Sequence, residues 1–448
     1  MLDFVRIDLR NKQGTTEIVP KFIMKKTKDL MVRGGDFYAV WVEDRGVWST
    51  EEQDAIDMID SEIREQYEKL KAGGLERIRP LYLWDADTGS IDRWHKYVQK
   101  QRRDDYVMLD EKLIFANTEV QKEDYASKRL TYSLEEGDYS AWDKLLSVLY
   151  SEEERHKIEW AIGSIVSGDS RHIQKFMVLY GAAGTGKSTV LNVIQKLFDG
   201  YYSVFDAKAL GSANASFALE PFKKNPLVAI QHDGDLSKIE DNTRLNSLVS
   251  HETMTVNEKF KSTYENSFKC FLFMGTNRPV KITDARSGLL RRLIDVTPTG
   301  KKIPNREYNS LIKQIDYQLG AIAQHCLDVY LDNPKYYDSY IPKGMMSASN
   351  DFYNFVMDSY YIFKKEDGTT LKSAWEMYKT YCDSAKVTFP YPLRTFKEEL
   401  KTYFWDYKEE LNENTQRIAV KYSRFRSEKF EDVMDILDEK KNESTTVD

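Results

Sequence analysis

The sequence predicts an α/β fold in which a parallel sheet carries a phosphate-binding loop, and two features indicate it. The first is the stretch Gly181–Ser188 (GAAGTGKS), which has the form G-x-x-x-x-G-K-[ST]. An apolar run, Phe176–Tyr180 (FMVLY), leads into it, and a pattern typical of an amphipathic helix follows from Thr189 to Phe198. Strand, glycine loop and helix is the context in which backbone N–H groups surround a phosphate. The second feature is the recurrence of apolar strand segments separated by helical text, which is typical of a parallel sheet covered by helices.

Length and composition favour a folded protein of several domains. The chain has 448 residues, of which 41% are hydrophobic and 13% aromatic. The net charge of the whole chain is −7, which by itself argues against a nucleic-acid-binding protein. Such binding depends on local charge, however, so the net charge does not decide the question. No apolar run approaches the ~18 residues of a membrane span, the first ten residues are charged throughout, and the three cysteines have neither disulfide nor zinc spacing. We therefore expect a cytoplasmic location, in a host cell, and no membrane partner.

Composition shifts predict the domain boundaries. A Ser-Gly-Asp-Ser turn at 167–170 precedes the core, and a Pro- and Tyr-rich loop at 333–343 follows it. Helix, helix and hairpin patterns then suggest a small winged-helix-like module. The predicted parts are an N-terminal α+β segment (1–75), a helical domain (76–167), the P-loop core (168–332), the winged-helix-like module (345–430) and an acidic flexible tail (431–448). The region before the core is thus expected to be mainly helical.

The glycine loop predicts ATP and Mg²⁺ as ligands. Lys187 would reach the β- and γ-phosphates, and the Ser188 hydroxyl would bind Mg²⁺. The residues expected to surround the nucleotide are Gly181, Ala182, Ala183, Gly184, Thr185, Gly186, Lys187, Ser188 and Thr189. A chance match in a glycine turn is the alternative, and a dinucleotide-binding fingerprint fits less well because its spacing is G-x-G-x-x-G.

Two later strands are predicted to end in polar residues that serve this loop. An ATPase needs an acid after a second buried strand, to hold Mg²⁺ and orient water. Asp233, after the apolar run at 227–230, is the first choice for both roles, and Asp235 is the second. Asn277 follows another apolar strand and is placed to contact the γ-phosphate and the attacking water. The alternatives are that Asp235 and Asn277 are ordinary turn residues.

Basic residues in two further segments are candidates for contacts outside the loop. Between 253 and 268, β-forming residues flank Lys259, Phe260 and Lys261, so a hairpin tip there would grip DNA through phosphates and base stacking. Surface lysines beside a core phenylalanine are the ordinary explanation. Arg291 and Arg292 precede an apolar strand. A guanidinium there would stabilise charge that develops on the γ-phosphate, either in its own subunit or in a neighbouring one.

In this order, the P-loop, acidic strand, Lys-bearing hairpin, Asn-ended strand and arginines resemble those of superfamily 3 helicases, a branch of the AAA+ ATPases. In particular they resemble the helicase part of phage and plasmid primase–helicases, over residues 171–299. The resemblance implies that Asn277 is the sensor residue, that Arg292, better than Arg291, is the arginine finger, and that Lys261, with Phe260, grips DNA. One position departs from the pattern: the family carries two adjacent acids where this chain has His232-Asp233.

The function that the resemblance implies is an ATP-dependent replicative DNA helicase of a phage or mobile element. It would act as a ring, expected to be a hexamer, moving 3′→5′ on single-stranded DNA and opening forked duplexes. No primase site is recognisable, so a separate primase or polymerase is expected as a partner. The alternative is an AAA+ origin-binding or loader ATPase that does not unwind DNA. A small-molecule P-loop kinase is less favoured because the sequence offers no lid.

Overall fold

The structure is a computed structural model that describes residues 2–24, 27–33, 37–101, 107–212, 215–237, 239, 241–257, 264–281, 288–412 and 417–430. The chain divides into two compact units. The first comprises Met1–Glu136 with Phe198–Tyr201, and the second comprises Gly137–Leu197 with Tyr202–Asp448. The predicted tail, 431–448, lies outside the described residues.

Within its described residues, the first unit contains two three-stranded sheets and two α-helices. They are β1 (Val5–Lys12), β2 (Thr15–Phe22), β3 (Leu30–Arg33), β4 (Phe37–Val42), β5 (Val47–Ser49), α1 (Glu52–Ala72), β6 (Ile78–Pro80) and α2 (Ser90–Lys100). The sheets have the orders β1-β2-β6 and β3-β4-β5. Ile56, Ile59 and Ile63 of α1 pack into a core with residues of both sheets, as their helical spacing predicts.

The region before the core is not mainly helical, which differs from the prediction for 76–167. Between 107 and 136 the described chain is irregular apart from a 3-10 turn at Lys122–Asp124. Side chains satisfy backbone groups there that a helix would otherwise pair. Arg129, for example, donates to the carbonyl oxygens of Phe115, Ala116 and Thr118 at 3.3, 3.1 and 2.9 Å.

The second unit holds the P-loop and everything after it. Its helices are α3 (Ser140–Leu149), α4 (Glu152–Val166), α5 (Lys187–Leu197), α6 (Ala207–Leu210), α7 (Thr243–Val249), α8 (Asn305–Asp332), α9 (Lys343–Ser349), α10 (Asp351–Asp358), α11 (Tyr360–Phe363), α12 (Leu371–Ala385) and α13 (Leu393–Lys401). Its strands are β7 (Phe176–Tyr180), β8 (Tyr202–Val204), β9 (Val228–Gln231), β10 (Thr253–Val256), β11 (Tyr264–Ser267), β12 (Phe271–Thr276), β13 (Leu293–Val296), β14 (Thr369–Thr370), β15 (Phe404–Asn412) and β16 (Arg417–Phe425).

Helices α3 and α4 belong to this second unit, although the prediction placed the boundary at 167. They pack against α8, and a glycine explains the closeness of α4 and α8. A Cβ atom on Gly163 would lie 1.9 Å from the carbonyl oxygen of Cys326, so no other residue fits there without moving a helix. Trp160 of α4 fills the neighbouring space against Tyr330 and Tyr337.

The predicted parallel sheet is confirmed. Five parallel strands lie in the order β13-β7-β12-β9-β8, and the P-loop strand β7 is flanked by β12 and β13. The register pairs Thr276 with Tyr180 and Val296 with Leu179, so neighbouring strands end at the same edge. The edge strand β8 was not predicted because its three residues carry no apolar run.

The C-terminal part combines helices with a small antiparallel sheet of order β14-β16-β15. Its apolar side chains share one hydrophobic cluster with the five-stranded sheet. A polar tie joins the same two regions. The buried carboxylate of Asp295, on β13, accepts hydrogen bonds from the Tyr340 hydroxyl at 2.5 Å and from the Met345 N–H at 2.8 Å. Among the described residues, no helix is both long and apolar enough to cross a membrane.

Candidate nucleotide-binding site

The loop between β7 and α5 depends on two glycines with positive φ. Gly184 has φ 75° and Gly186 has φ 92°, in the region that glycine occupies without steric cost. Space as well as conformation constrains the second one, because a Cβ atom on Gly186 would lie 2.6 Å from Leu149 Cδ1. The loop therefore turns its backbone directly into the first turn of α5, where free N–H groups favour an anion.

Lys187, the first residue of α5, is buried and points back across this loop. Its Nζ donates hydrogen bonds at 2.8 Å to the carbonyl oxygens of Gly181 and Ala182 and to Oδ1 of Asn277. Burial lowers the pKa of Lys187, and the charge of Asp233 partly opposes that shift. All three acceptors are neutral, so the ammonium group lacks an anion in direct contact among the described residues. A phosphate oxygen would supply the charge that this buried cation lacks.

Asn277 reaches Lys187 because β7 and β12 are parallel neighbours. Thr276 is paired with Tyr180, and the Gly181 N–H donates to the Thr276 carbonyl at 3.2 Å. The Thr276 hydroxyl lies in the turn that follows, where it accepts from the Arg278 N–H at 3.0 Å. Asn277, which lies between Thr276 and Arg278, is therefore held at the carboxyl edge of the sheet, where ligands bind in open α/β sheets.

The two acids after β9 differ in exposure and in their partners. Asp233 is exposed and close enough to act on the charge of Lys187. Asp235 instead accepts hydrogen bonds from the hydroxyl and N–H of Ser237 and a charged one from Arg278 at 3.0 Å. These bonds lower the pKa of Asp235, with the Ser237 hydroxyl contributing most. Asp235 is engaged as a turn residue, which is the alternative that the sequence left open.

His232 does not replace the second acid of the resembling family. Burial lowers the pKa of its imidazole, so the neutral form predominates at pH 7. Its Nε2 lies 3.4 Å from Oε1 of Gln195 on α5. The next turn is fixed by a hydrogen bond from the Gly234 N–H to the Gly275 carbonyl at 2.8 Å. Among the described residues that directly follow β9, Asp233 is thus the exposed carboxylate, whereas Asp235 bonds Ser237 and Arg278.

Ser188 and Asp233 are the two side chains predicted to hold Mg²⁺. The side chains of both are exposed, Ser188 in the first turn of α5 and Asp233 after β9. No group of three or more His, Cys, Asp or Glu side chains suitable for a metal occurs in the part of the chain that the structure describes. An Mg²⁺ ion that is bound with a nucleotide needs only one or two protein ligands, because phosphates and water supply the rest.

A cavity of about 310 Å³ lies beside the loop. Its lining residues are Leu149, Gly184, Thr185, Gly186, Lys187, Ser188, Thr189, Lys301, Lys302, Ile303, Asn305 and Tyr308. The residues after β13 were not predicted as part of the site. The sequence does show two lysines after a glycine at this point, Gly300-Lys301-Lys302. Their relevance depends on β13 being a neighbour of β7, which brings its carboxyl end to the P-loop edge of the sheet.

The two adjacent arginines, of which the resemblance favours Arg292 as the finger, occupy different environments. Arg292 is 5% exposed. Its Nε donates to the Ser250 hydroxyl at 2.9 Å and one terminal nitrogen donates to the Gly288 carbonyl at 2.7 Å. A guanidinium held inside its own subunit is not free to reach a neighbour. Arg291 is exposed, so it is the better candidate for that role.

The predicted hairpin is present, but its basic tip cannot be placed. Strands β10 and β11 are antiparallel, with Val256 paired with Tyr264. Lys259, Phe260 and Lys261 lie outside the described residues. Their contact with DNA remains a prediction.

One family model and several solved structures match parts of the chain. A family of unknown function, DUF5906, matches residues 179–292, roughly a quarter of the chain. No curated protein matches. Solved structures of the NrS-1 C-terminal region are similar at low identity. One, an apo structure of residues 305–718, is 13% identical with a TM-score of 0.43 and covers 66% of this chain and 78% of that chain. An A-form apo structure of the region is 13% identical with a TM-score of 0.43, covering 75% and 90%. Similarity of this size identifies neither an activity nor a ligand.

Proposed function

We propose that this chain is an ATP-dependent DNA helicase with an AAA+ core of superfamily 3, from a phage or mobile element. One observation carries the nucleotide part: the buried ammonium of Lys187 bonds two P-loop carbonyls and the sensor residue Asn277, with Asp233 nearby. Glycine-loop conformation, unpaired cation and neighbouring acid are together what binding and hydrolysis of a nucleoside triphosphate require.

The hydrolysis step follows from these positions. Ser188 and Asp233 would hold Mg²⁺, which would neutralise phosphate charge when bound. Lys187 would hold the γ-phosphate. Asn277 and Asp233 would orient a water molecule whose oxygen attacks γ-phosphorus while the bond to the β–γ bridging oxygen breaks. The water proton passes through Asp233 to the products, which are ADP and inorganic phosphate.

Arg291 is proposed to act on the site of a neighbouring copy. The turn that carries it is fixed from inside the subunit, because Arg292 bonds to Ser250 and Gly288 and because the Lys175 ammonium donates to the Arg291 carbonyl at 2.7 Å. The Arg291 side chain is left exposed. In a ring of subunits, the Arg291 side chain would reach the γ-phosphate bound to the adjacent subunit, where a guanidinium stabilises developing charge.

Translocation is assigned to the hairpin of β10 and β11. Its tip, Lys259–Lys261, would contact the DNA backbone in the ring channel and move with the nucleotide state of each site. Strand exclusion from the ring would separate a fork, with 3′→5′ polarity as the resemblance implies. A basic channel within an acidic exterior reconciles this role with the net charge of −7.

The alternative is an origin-binding or loader ATPase, and the C-terminal topology favours it as the second candidate. Helices α12 and α13 followed by the β15–β16 hairpin, with β14 as a third strand, are the arrangement expected of a winged-helix module. Such a module would read duplex DNA while the ATPase core serves assembly.

Forked-DNA unwinding separates the two candidates. The purified chain should open a fork with a 3′ tail in the presence of ATP and Mg²⁺. Lys187→Ala should abolish opening, while Lys196→Ala, which changes an exposed lysine of the same helix, should not. DNA-stimulated ATP hydrolysis without opening would favour the loader, as would nucleotide-independent duplex binding by residues from 351 onward. Wild-type opening by Lys187→Ala would refute the site.

A further inference from the structure

The cavity beside the P-loop has a second wall to which the proposed hydrolysis step assigns no role. Lys301, Lys302 and Tyr308 form it, on the segment between β13 and the first turns of α8. The volume of about 310 Å³ is at the lower end of small-molecule sites, which span roughly 300 to 1,000 Å³. Leu149 and Ile303 add apolar surface to the lining of the same cavity.

The segment is held against the P-loop by defined contacts. The N–H of Thr299 donates to the Leu149 carbonyl at 2.8 Å, and its hydroxyl donates to the Val148 carbonyl at 2.9 Å. The same hydroxyl accepts from the Lys301 N–H at 3.2 Å. Leu149 in turn touches the P-loop at Gly186. The wall is therefore part of the loop's own framework.

The direction of a bound nucleotide follows from the loop. Lys187 and Asn277 mark the end for the terminal phosphate. Thr189 is two residues further along α5, and its hydroxyl oxygen lies 3.3 Å from the Tyr308 hydroxyl oxygen. The cavity lined by Thr189 and Tyr308 lies on that side of the loop, and we take it as the place for the rest of the nucleotide.

We infer that Tyr308 is the base-stacking residue of this site and that Lys301 and Lys302 contact the phosphate chain of the same nucleotide, an inference that rests on the proposed nucleotide binding. The Tyr308 side chain is half-buried and belongs to the lining of the cavity. Neither lysine side chain forms an ion pair within the described part of the chain. An aromatic ring for the base and cations for the phosphates are the chemistry that a nucleotide needs, and stacking accepts any base.

Binding of ATP and of inorganic tripolyphosphate to the full chain, measured by calorimetry with Mg²⁺, tests this. Tyr308→Ala should weaken ATP about tenfold and leave tripolyphosphate unchanged, since only the base is lost. Tyr308→Phe keeps the ring and should bind ATP as the wild type does. Lys301→Ala with Lys302→Ala should weaken both ligands, while Lys313→Ala, an exposed lysine of α8, should weaken neither.

The outcomes separate this inference from the proposed function. If Tyr308→Ala binds ATP normally, or loses both ligands equally, while Lys187→Ala abolishes binding, Tyr308 is not the stacking residue and the P-loop assignment stands. If the wild type binds neither ligand, the proposed function fails first. Thermal melting of each free variant checks that it is folded.

Discussion

Lys187 Nζ and Asn277 Oδ1 are 2.8 Å apart, although the residues are 90 positions apart in the chain. The pair joins the first residue of the P-loop helix to the end of the adjacent parallel strand. Its acceptor is neutral, and burial lowers the pKa of the lysine. A phosphate oxygen that displaced the amide would be a stronger acceptor, which leaves Asn277 free to bond the attacking water.

Replacing Lys187 with Met should remove nucleotide binding without unfolding the protein. Loss of charged hydrogen bonds to phosphate costs about 2–3 kcal/mol, or roughly 30- to 150-fold in affinity. Stability of the free protein should change little, because the substitution also removes a buried cation. ATP should raise the melting temperature of the wild type and of Lys196→Met but not of Lys187→Met. An equal rise in all three would contradict the site.

The two acids after β9 should respond differently to amide substitution. Asp233→Asn should lower the ATPase rate by about 10²- to 10⁴-fold, the range of a lost proton-transfer group. Asp235→Asn should keep most of the rate, because Asp235 bonds Ser237 and Arg278. Steady-state phosphate release measures both. A larger loss for Asp235→Asn would reverse the assignment.

Arg291 and Arg292 should separate into a functional and a structural role. Arg291→Ala should reduce ATP turnover with little change in melting temperature. Arg292→Ala should destabilise the protein by about 1–3 kcal/mol, because it removes a buried side chain and its hydrogen bonds to the Ser250 hydroxyl and the Gly288 carbonyl. Mixing Arg291→Ala with Lys187→Ala should restore some turnover, since an intact site would meet an intact arginine across an interface. No restoration would place Arg291 in its own subunit's site.

Lys175 should give the stability a distinctive pH dependence. Burial lowers its pKa to about 8 from 10.5, so between these values the unfolded chain binds more protons than the folded one. Stability from this residue therefore rises with pH from about 8 to 10, by up to about 1.4 kcal/mol per pH unit. The difference between wild type and Lys175→Met, followed by melting temperature, should show this rise. A flat difference would mean that the lysine titrates normally.

Gly186→Ala should be worse than Gly184→Ala. Both need positive φ, which costs an alanine about 1–2 kcal/mol. Gly184 has open space around its Cβ position, but Gly186 has Leu149 at 2.6 Å, which adds overpacking of about 1–3 kcal/mol. Chemical denaturation ranks the two. Equal losses would show that Leu149 moves aside freely.

Local sequence patterns predicted the P-loop and most strands of the parallel sheet, because a glycine loop and an apolar run are each encoded in consecutive residues. The strand that leads into the loop ends at Tyr180, where its apolar run predicts. Side-chain partners were not predictable, since the burial of Arg292 depends on Ser250, 42 positions earlier. The second wall at Lys301 and Tyr308 required the strand order, and no periodicity reports that.

The carboxylate of Asp295 has a consequence for how the protein moves. Its two donors, Tyr340 and Met345, precede and begin the C-terminal helices, while Asp295 itself is three residues after Arg292. Separating these helices from β13 would break both hydrogen bonds to a buried carboxylate. Asp295 therefore links the strand that follows the arginine turn to the start of the C-terminal helices.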